Sequence, residues 1–229
     1  MAEWLAASTM NPANKKAILE EEEKIAGLRD VLTGPVMMDG LPHVGESTVK
    51  LDKDPIHGRA RNIEAQHPRM TGSTGPTARG VQKYLESLCR YKIYFAAGMT
   101  GEELSELYSL IPAEWGFVSI DQTNFDSLVK HGAGDCGLAV VKWVVSLDPT
   151  EAAAQAVANF EFQRYDQRGK TALNTYYHVV GTTKSGSSTT CVENSIVSMG
   201  AAVFALGLEF GARGPALLDL DFVLFVMGD

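Results

Sequence analysis

Phe117-Val118-Ser119-Ile120-Asp121-Gln122-Thr123-Asn124-Phe125-Asp126 is an apolar run that stops at an acid, and the reading of the whole chain turns on it. Trp115 to Ile120 reads as a short buried strand, and the period-2 alternation of Phe117, Ser119 and Asp121 puts Asp121 at its carboxyl end. A carboxylate in that position needs a cation, a metal ion or several hydrogen bonds to offset its desolvation. Asp126 follows at the start of a helix that opens Ser127-Leu128-Val129-Lys130. An Asp-capped turn between strand and helix satisfies the same pattern without chemistry.

The chain has 229 residues, 45% hydrophobic and 21% charged, enough for one sizeable core or two smaller lobes. Cys89, Cys136 and Cys191 are odd in number, widely spaced and without a Cys-x-x-Cys pair. That pattern argues against a disulfide framework or a structural zinc site and points to a reducing intracellular setting. Met1 to Ala6 lacks the features of a signal peptide. The apolar stretch around Ile196 to Phe210 is read as too short and Gly-interrupted to span a bilayer, so no membrane segment is expected. The net charge of -8 hides an asymmetry: residues 50–92 hold nine Lys/Arg against four acids, a surplus of +5, which leaves -13 on the remainder. A channel for an anionic ligand produces such a split, and so does a solvated basic face.

Outward from the opening stretch, Asn11-Pro12-Ala13 starts a helix that runs through Ile25. Leu32 to Gly45 reads as irregular chain. Thr48 to Leu51 and Arg59 to Glu64 read as strands, the second with Arg59 and Arg61 on one face, where their guanidinium groups can converge on a triphosphate. Gly72-Ser73-Thr74-Gly75-Pro76 reads as a loop before a helix over Thr77 to Tyr94, and it lacks the Gly-Lys-Ser/Thr of a phosphate-binding loop. Thr100-Gly101-Glu102-Glu103 caps a helix to about Leu110. Leu138 to Leu147 fits helix or strand equally. Asp148-Pro149-Thr150-Glu151 caps a helix to Phe162, and Gln167 to Lys170 reads as a turn into a strand over Asn174 to Val180.

A second informative stretch is Gly181-Thr182-Thr183-Lys184-Ser185-Gly186-Ser187-Ser188-Thr189-Thr190-Cys191-Val192-Glu193-Asn194. A loop this rich in Gly and small hydroxyls can present N–H and O–H groups to a sugar-phosphate chain, although a Ser-rich turn with a capped helix explains it too. At helical pitch Thr190 and Asn194 share a face. Ala216 to Met227 reads as an apolar strand ending in Gly228-Asp229, and this close is read as a cut through a longer protein.

In order and spacing these pieces resemble the RNA-dependent RNA polymerases of positive-strand RNA viruses, the tombusvirus-like, nodavirus-like and flavivirus-like enzymes. Asp121-x4-Asp126 resembles their first palm motif, Ser185-Gly186-x3-Thr190-x3-Asn194 their second, and Gly228-Asp229 the start of their Gly-Asp-Asp motif. Arg59 and Arg61, with Lys53 upstream, are similar to the basic nucleotide-entry segment of the fingers. The resemblance covers about Lys50 to Asp229; the second Asp of Gly-Asp-Asp and the thumb are absent, which puts activity of this chain in question.

The resemblance implies an α+β fold: a right-hand polymerase fragment with an antiparallel palm sheet flanked by helices, plus part of the fingers. Residues 1–114 would form the amino-terminal and fingers region and 115–229 the palm core, with an insertion at about 132–174. It implies catalytic and metal-ligating roles for Asp121 and Asp229 with Mg²⁺ or Mn²⁺, and ribose and nucleotide contacts from Asp126, Asn194, Ser185, Gly186 and Thr190. Triphosphate contacts would come from Arg59, Arg61 and Lys53. Template RNA, nascent RNA and nucleoside triphosphates are the implied partners, and viral replication complexes in the host cytoplasm the implied location. Two rival readings are a non-catalytic RNA-binding scaffold and a Mg²⁺-nucleotide metabolic enzyme. Acids in the groove argue against the first, and the lack of a Gly-rich phosphate loop argues against the second.

Overall fold

The structure, a computed structural model, describes residues 1–26, 45–50, 61–88, 92–120, 132–148, 150–181 and 186–228. Asp121, Asp126, Ser185, Asp229, Arg59 and Lys53 lie outside those residues, as does the expected helix start at Ser127 to Lys130. In chain order the elements are α1 (Ala2–Ala7), α2 (Pro12–Ala26), β1 (Gly45–Lys50), β2 (Arg61–Gln66), α3 (Pro68–Leu88), β3 (Ile93–Phe95) and α4 (Gly101–Ser109). There follow α5 (Ala133–Val145), α6 (Glu151–Tyr165), β4 (Gln167–Thr171), β5 (Tyr176–Val179), α7 (Thr190–Phe210), a 3₁₀ turn (Gly214–Asp219) and β6 (Leu224–Val226). The fold is mixed α+β, helix-rich, as the sequence implies.

Several helix starts follow the sequence directly. Asn11 Oδ1 accepts from the Asn14 amide at 2.8 Å. Thr100 and Glu103 form the expected reciprocal capping box. Thr150 Oγ1 accepts from Ala153 N at 3.2 Å to start α6, and the ambiguous run over Leu138 to Leu147 resolves as helix α5. One core joins these helices: Val81 and Leu85 of α3, Leu138 and Val141 of α5, Phe160 of α6, and Val192 and Ile196 of α7.

Elsewhere packing overrides local propensity. Gly72 to Pro76, expected as a loop, lies inside α3. The reason is close approach by the amino-terminal helices: a Cβ on Gly75 would fall 2.2 Å from the Trp4 ring, and one on Gly72 3.0 Å from Ile18. These glycines are a docking face, and Thr74 Oγ1 bonding back to Met70 O at 2.8 Å keeps its buried hydroxyl satisfied beside Pro76. Tyr94, expected in the same helix, belongs to strand β3. Gln167 to Lys170, expected as a turn, is strand β4; the turn comes later, with Asn174 at φ 60°. Gly169 reads as a breaker in sequence but sits under the Tyr177 ring, 2.2 Å from a would-be Cβ.

The main sheet runs β2-β1-β4-β5, antiparallel at β1/β2 and β4/β5 and parallel at β1/β4. The second sheet is β3 beside β6, in parallel register with Tyr94 opposite Phe225. The described strands thus differ from a purely antiparallel sheet. The strand expected over Ala216 to Met227 is only Leu224–Val226, preceded by the 3₁₀ turn that Pro215 initiates.

The largest correction concerns Trp115 to Ile120. It is irregular, with Phe117, Val118 and Ile120 exposed at 75%, 81% and 70%. Alternation supplies an apolar face, but a strand also needs a neighbour for its N–H and C=O groups, and none pairs with it among the described residues. α7 is 21 residues long, and by length and composition it is apolar enough to cross a membrane. Its first turns, including Glu193, are buried in the core, while Phe204 and Leu208 are exposed.

Candidate functional site

A cleft of about 540 Å³ opens between α4, the irregular segment ending at Ile120 and strand β6. Tyr108 of α4 packs on Phe225 with ring centroids 4.6 Å apart, and Phe117 meets Tyr108 edge-on at 6.5 Å. Ile120 and Met227 both line this cleft. They stand immediately before Asp121 and one residue before Gly228-Asp229.

Gly228 is fixed to α7 by both backbone groups: its N–H donates to Ser195 Oγ at 2.9 Å and its carbonyl accepts from Ser198 Oγ at 2.9 Å. Its φ of +78° is in the left-handed region, where only glycine is comfortable, so the turn out of β6 is built around this residue. Ser195 is wholly buried and follows Asn194, so α7 carries the seat of the turn at Gly228.

The loop before α7 is held just as closely. Gly186 lies against the backbone of β2: a Cβ there would be 1.7 Å from Glu64 O and 3.3 Å from Ala65 Cα. β2 is also the strand of Arg61, so the loop glycine and that basic strand form one packed unit. Ser188 Oγ meets Thr74 Oγ1 of α3 at 2.6 Å, and Ser187 Oγ donates to Gln163 Oε1 of α6 at 3.1 Å. These loop hydroxyls are turned inward onto helices. Thr190 is half-buried in the first turn of α7, and Asn194 is 1% exposed, inside the fold.

Beneath that first turn lies a buried ionic group invisible to motif reading. Arg164, in the last turn of α6, is 3% exposed; its Nη1 is 3.9 Å from Glu193 Oε2 and its Nε 3.8 Å from Asp135 Oδ1. Gly134 makes room for the guanidinium, since a Cβ there would be 1.5 Å from Nη2. Asp135 also accepts from Gly132 N at 3.0 Å and from Tyr165 Oη at 2.7 Å, the second bond holding the Tyr165 pKa above its ordinary value. Burial pushes Glu193 above the usual carboxylate range, against the opposing pull of its bond to Thr189 and the charge of Arg164. The signal in sequence was the stripe Ala153, Ala156, Phe160, Gln163 and Arg164, which keeps helical spacing while turning from apolar to polar.

Because the Glu193 pKa is raised in the folded state, stability from this group is greatest at acid pH and falls as pH rises from the unfolded-state value of 4.5 through the folded one. Glu193→Gln removes that titration. Relative to wild type, the variant is expected to gain stability as pH rises above 4.5, levelling once the folded-state Glu193 has ionised, measured by urea unfolding. A difference that stays constant with pH would refute the assignment.

Of the basic surplus, Arg69 and Lys92 are engaged inside the fold among the described residues. Arg69 Nε and Nη2 both donate to Glu21 Oε2, at 3.1 and 3.0 Å, tying α3 to α2. Lys92 Nζ donates to Leu220 O at 2.5 Å and lies over the Phe222 ring. Part of the charge asymmetry is therefore structural. Among the described residues no group of three or more His, Cys, Asp or Glu gathers as a metal site. Cys136 and Cys191 are exposed cysteines that form no disulfide. No protein family matches the chain, and no curated protein matches it.

Proposed function

We propose that the chain is the fingers and palm portion of an RNA-dependent RNA polymerase, which joins nucleoside triphosphates to the 3′-hydroxyl of a growing RNA. The observation that carries this reading is the meeting of Ile120 and Met227 at one cleft, with Gly228 clasped by α7 one turn from Asn194. The residues just ahead of two candidate ligands, far apart in sequence, thereby line one cleft. Convergence of this kind is what paired acids need in order to act on one phosphate.

In the proposed reaction the 3′-hydroxyl releases its proton to solvent as its oxygen attacks the α-phosphorus; a new P–O bond forms, the α,β P–O bond breaks and pyrophosphate leaves. Asp121 and Asp229 are hard oxygen donors of the type that suits Mg²⁺ or Mn²⁺, and they would hold it. When bound, such ions supply positive charge at the attacking and leaving oxygens. Arg61, Arg59 and Lys53 would orient the triphosphate by charge-assisted hydrogen bonds. Asp126 and Asn194 would read the ribose 2′-hydroxyl, and Ser185, Gly186 and Thr190 would shape the template and nucleotide surface.

The test is Mn²⁺-supported incorporation by the full-length gene product on an RNA primer-template. Template-complementary extension is the expected result. RNA binding without any incorporation would overturn the enzyme reading in favour of an RNA-binding scaffold.

A further inference from the structure

The ends of the segment from Gly181 to the first turn of α7 return to one place, the carboxyl end of α6. Arg164 O accepts the Gly181 amide at 2.8 Å, where β5 gives way to the segment. Gln163 Oε1 accepts Ser187 Oγ at 3.1 Å near its other end. The Arg164 guanidinium then faces Glu193, the residue before Asn194. Gln163 and Arg164 are both 3% exposed, so each link is shielded from bulk water on the α6 side.

We infer that Gln163 and Arg164 are positioning residues for the nucleic-acid surface at Gly186 and Thr190, which the buried Asn194 underlies, an inference that rests on the polymerase reading. They reach no substrate themselves. Fixing Gly181, Ser187 and the first turn of α7 to one helix end removes freedom at those points that RNA would otherwise have to quench on binding. Glu193 is seated by close packing as well, since a Cβ on Gly137 would be 3.1 Å from its carbonyl oxygen.

The experiment uses the full-length gene product with Gln163→Ala, Ser187→Ala, their double variant and Arg164→Lys. Amide exchange over residues 186–194 is expected to accelerate by roughly 3- to 10-fold in Gln163→Ala, the equivalent of one hydrogen bond, with residues 78–88 unchanged. Affinity for a single-stranded RNA oligonucleotide should weaken, and KM for template should rise, over the same range while kcat holds. Ser187→Ala should match Gln163→Ala, and the double variant should add nothing further. Arg164→Lys keeps the charge but loses the planar fork, and should loosen 186–194 without unfolding the core. Additive effects of the two single variants, loosening across the whole molecule, or a looser loop with unaltered RNA affinity would each overturn the inference. If wild-type protein binds RNA but never extends a primer, the polymerase reading fails while exchange and RNA affinity still decide the positioning role.

Discussion

Asp121→Asn is expected to lower templated nucleotide incorporation by about 10²–10³-fold or more, the range lost when one preorganised charge stabiliser is removed, with RNA affinity nearly intact. The amide keeps the size and hydrogen-bonding capacity of the side chain but lacks the charge that a divalent cation requires. RNA affinity survives because phosphate binding draws on cations and gains nothing from an acid. Ile120, the preceding residue, lines the cleft shared with Met227, so a ligand at Asp121 and one after Gly228 have neighbouring points of attachment. Primer extension in Mn²⁺ by the full-length gene product measures the loss. Wild-type turnover in Asp121→Asn would remove Asp121 from the reaction and leave it as a helix cap.

The helix starts were legible because each rests on one local group. Asn11, Thr100 and Thr150 carry their cap acceptors in the side chain, and the structure uses all of them. The failures share a cause as well. At Gly72 to Pro76 and at Gly169 the sequence carries turn residues, yet those glycines exist to admit Trp4, Ile18 and Tyr177, residues remote in sequence. Local propensity has no access to that information. Trp115 to Ile120 fails in the opposite direction, since its alternation is right for a strand and the neighbour is missing among the described residues.

The candidate site was legible to the extent that it was written as short motifs. Thr190 and Asn194 fall on the first turns of α7, one turn apart as their spacing of four requires, and Gly186 precedes that helix in the chain. What holds them was not legible. Arg164 and Glu193 stand 29 positions apart in sequence and neither belongs to a motif, so only the fold pairs them. The clasp of Gly228 by Ser195 and Ser198 is similar: two serines on a mostly apolar helix look like tolerated polar residues until the strand end arrives beside them. The basic surplus was legible in size but not in use, because Arg69 spends its charge on Glu21.

Gly186→Ala is expected to destabilise the protein by about 1–3 kcal/mol, the usual cost of forcing a methyl group into packed surroundings, and to weaken RNA binding at the same time. The obstacle is rigid. A Cβ would stand 1.7 Å from Glu64 O and 2.9 Å from the Glu64 carbonyl carbon, both backbone atoms of β2, so no rotamer change relieves the contact. Either the loop lifts away from β2 or the strand yields at Glu64 and Ala65, where it is laddered to Ser47 and Glu46 of β1. Lifting the loop is the lesser disturbance, and it draws Gly186 away from the strand that carries Arg61, separating the two surfaces proposed to meet template and triphosphate. Gly200→Ala supplies the control: it lies within α7, nothing stands within 4 Å of its Cβ, and alanine should stabilise the helix by about 0.5–1 kcal/mol. Urea unfolding and RNA anisotropy on the two variants check both halves. A Gly186→Ala protein as stable and as tightly RNA-binding as wild type would mean that this loop is not seated on β2 and that its glycine serves neither packing nor RNA.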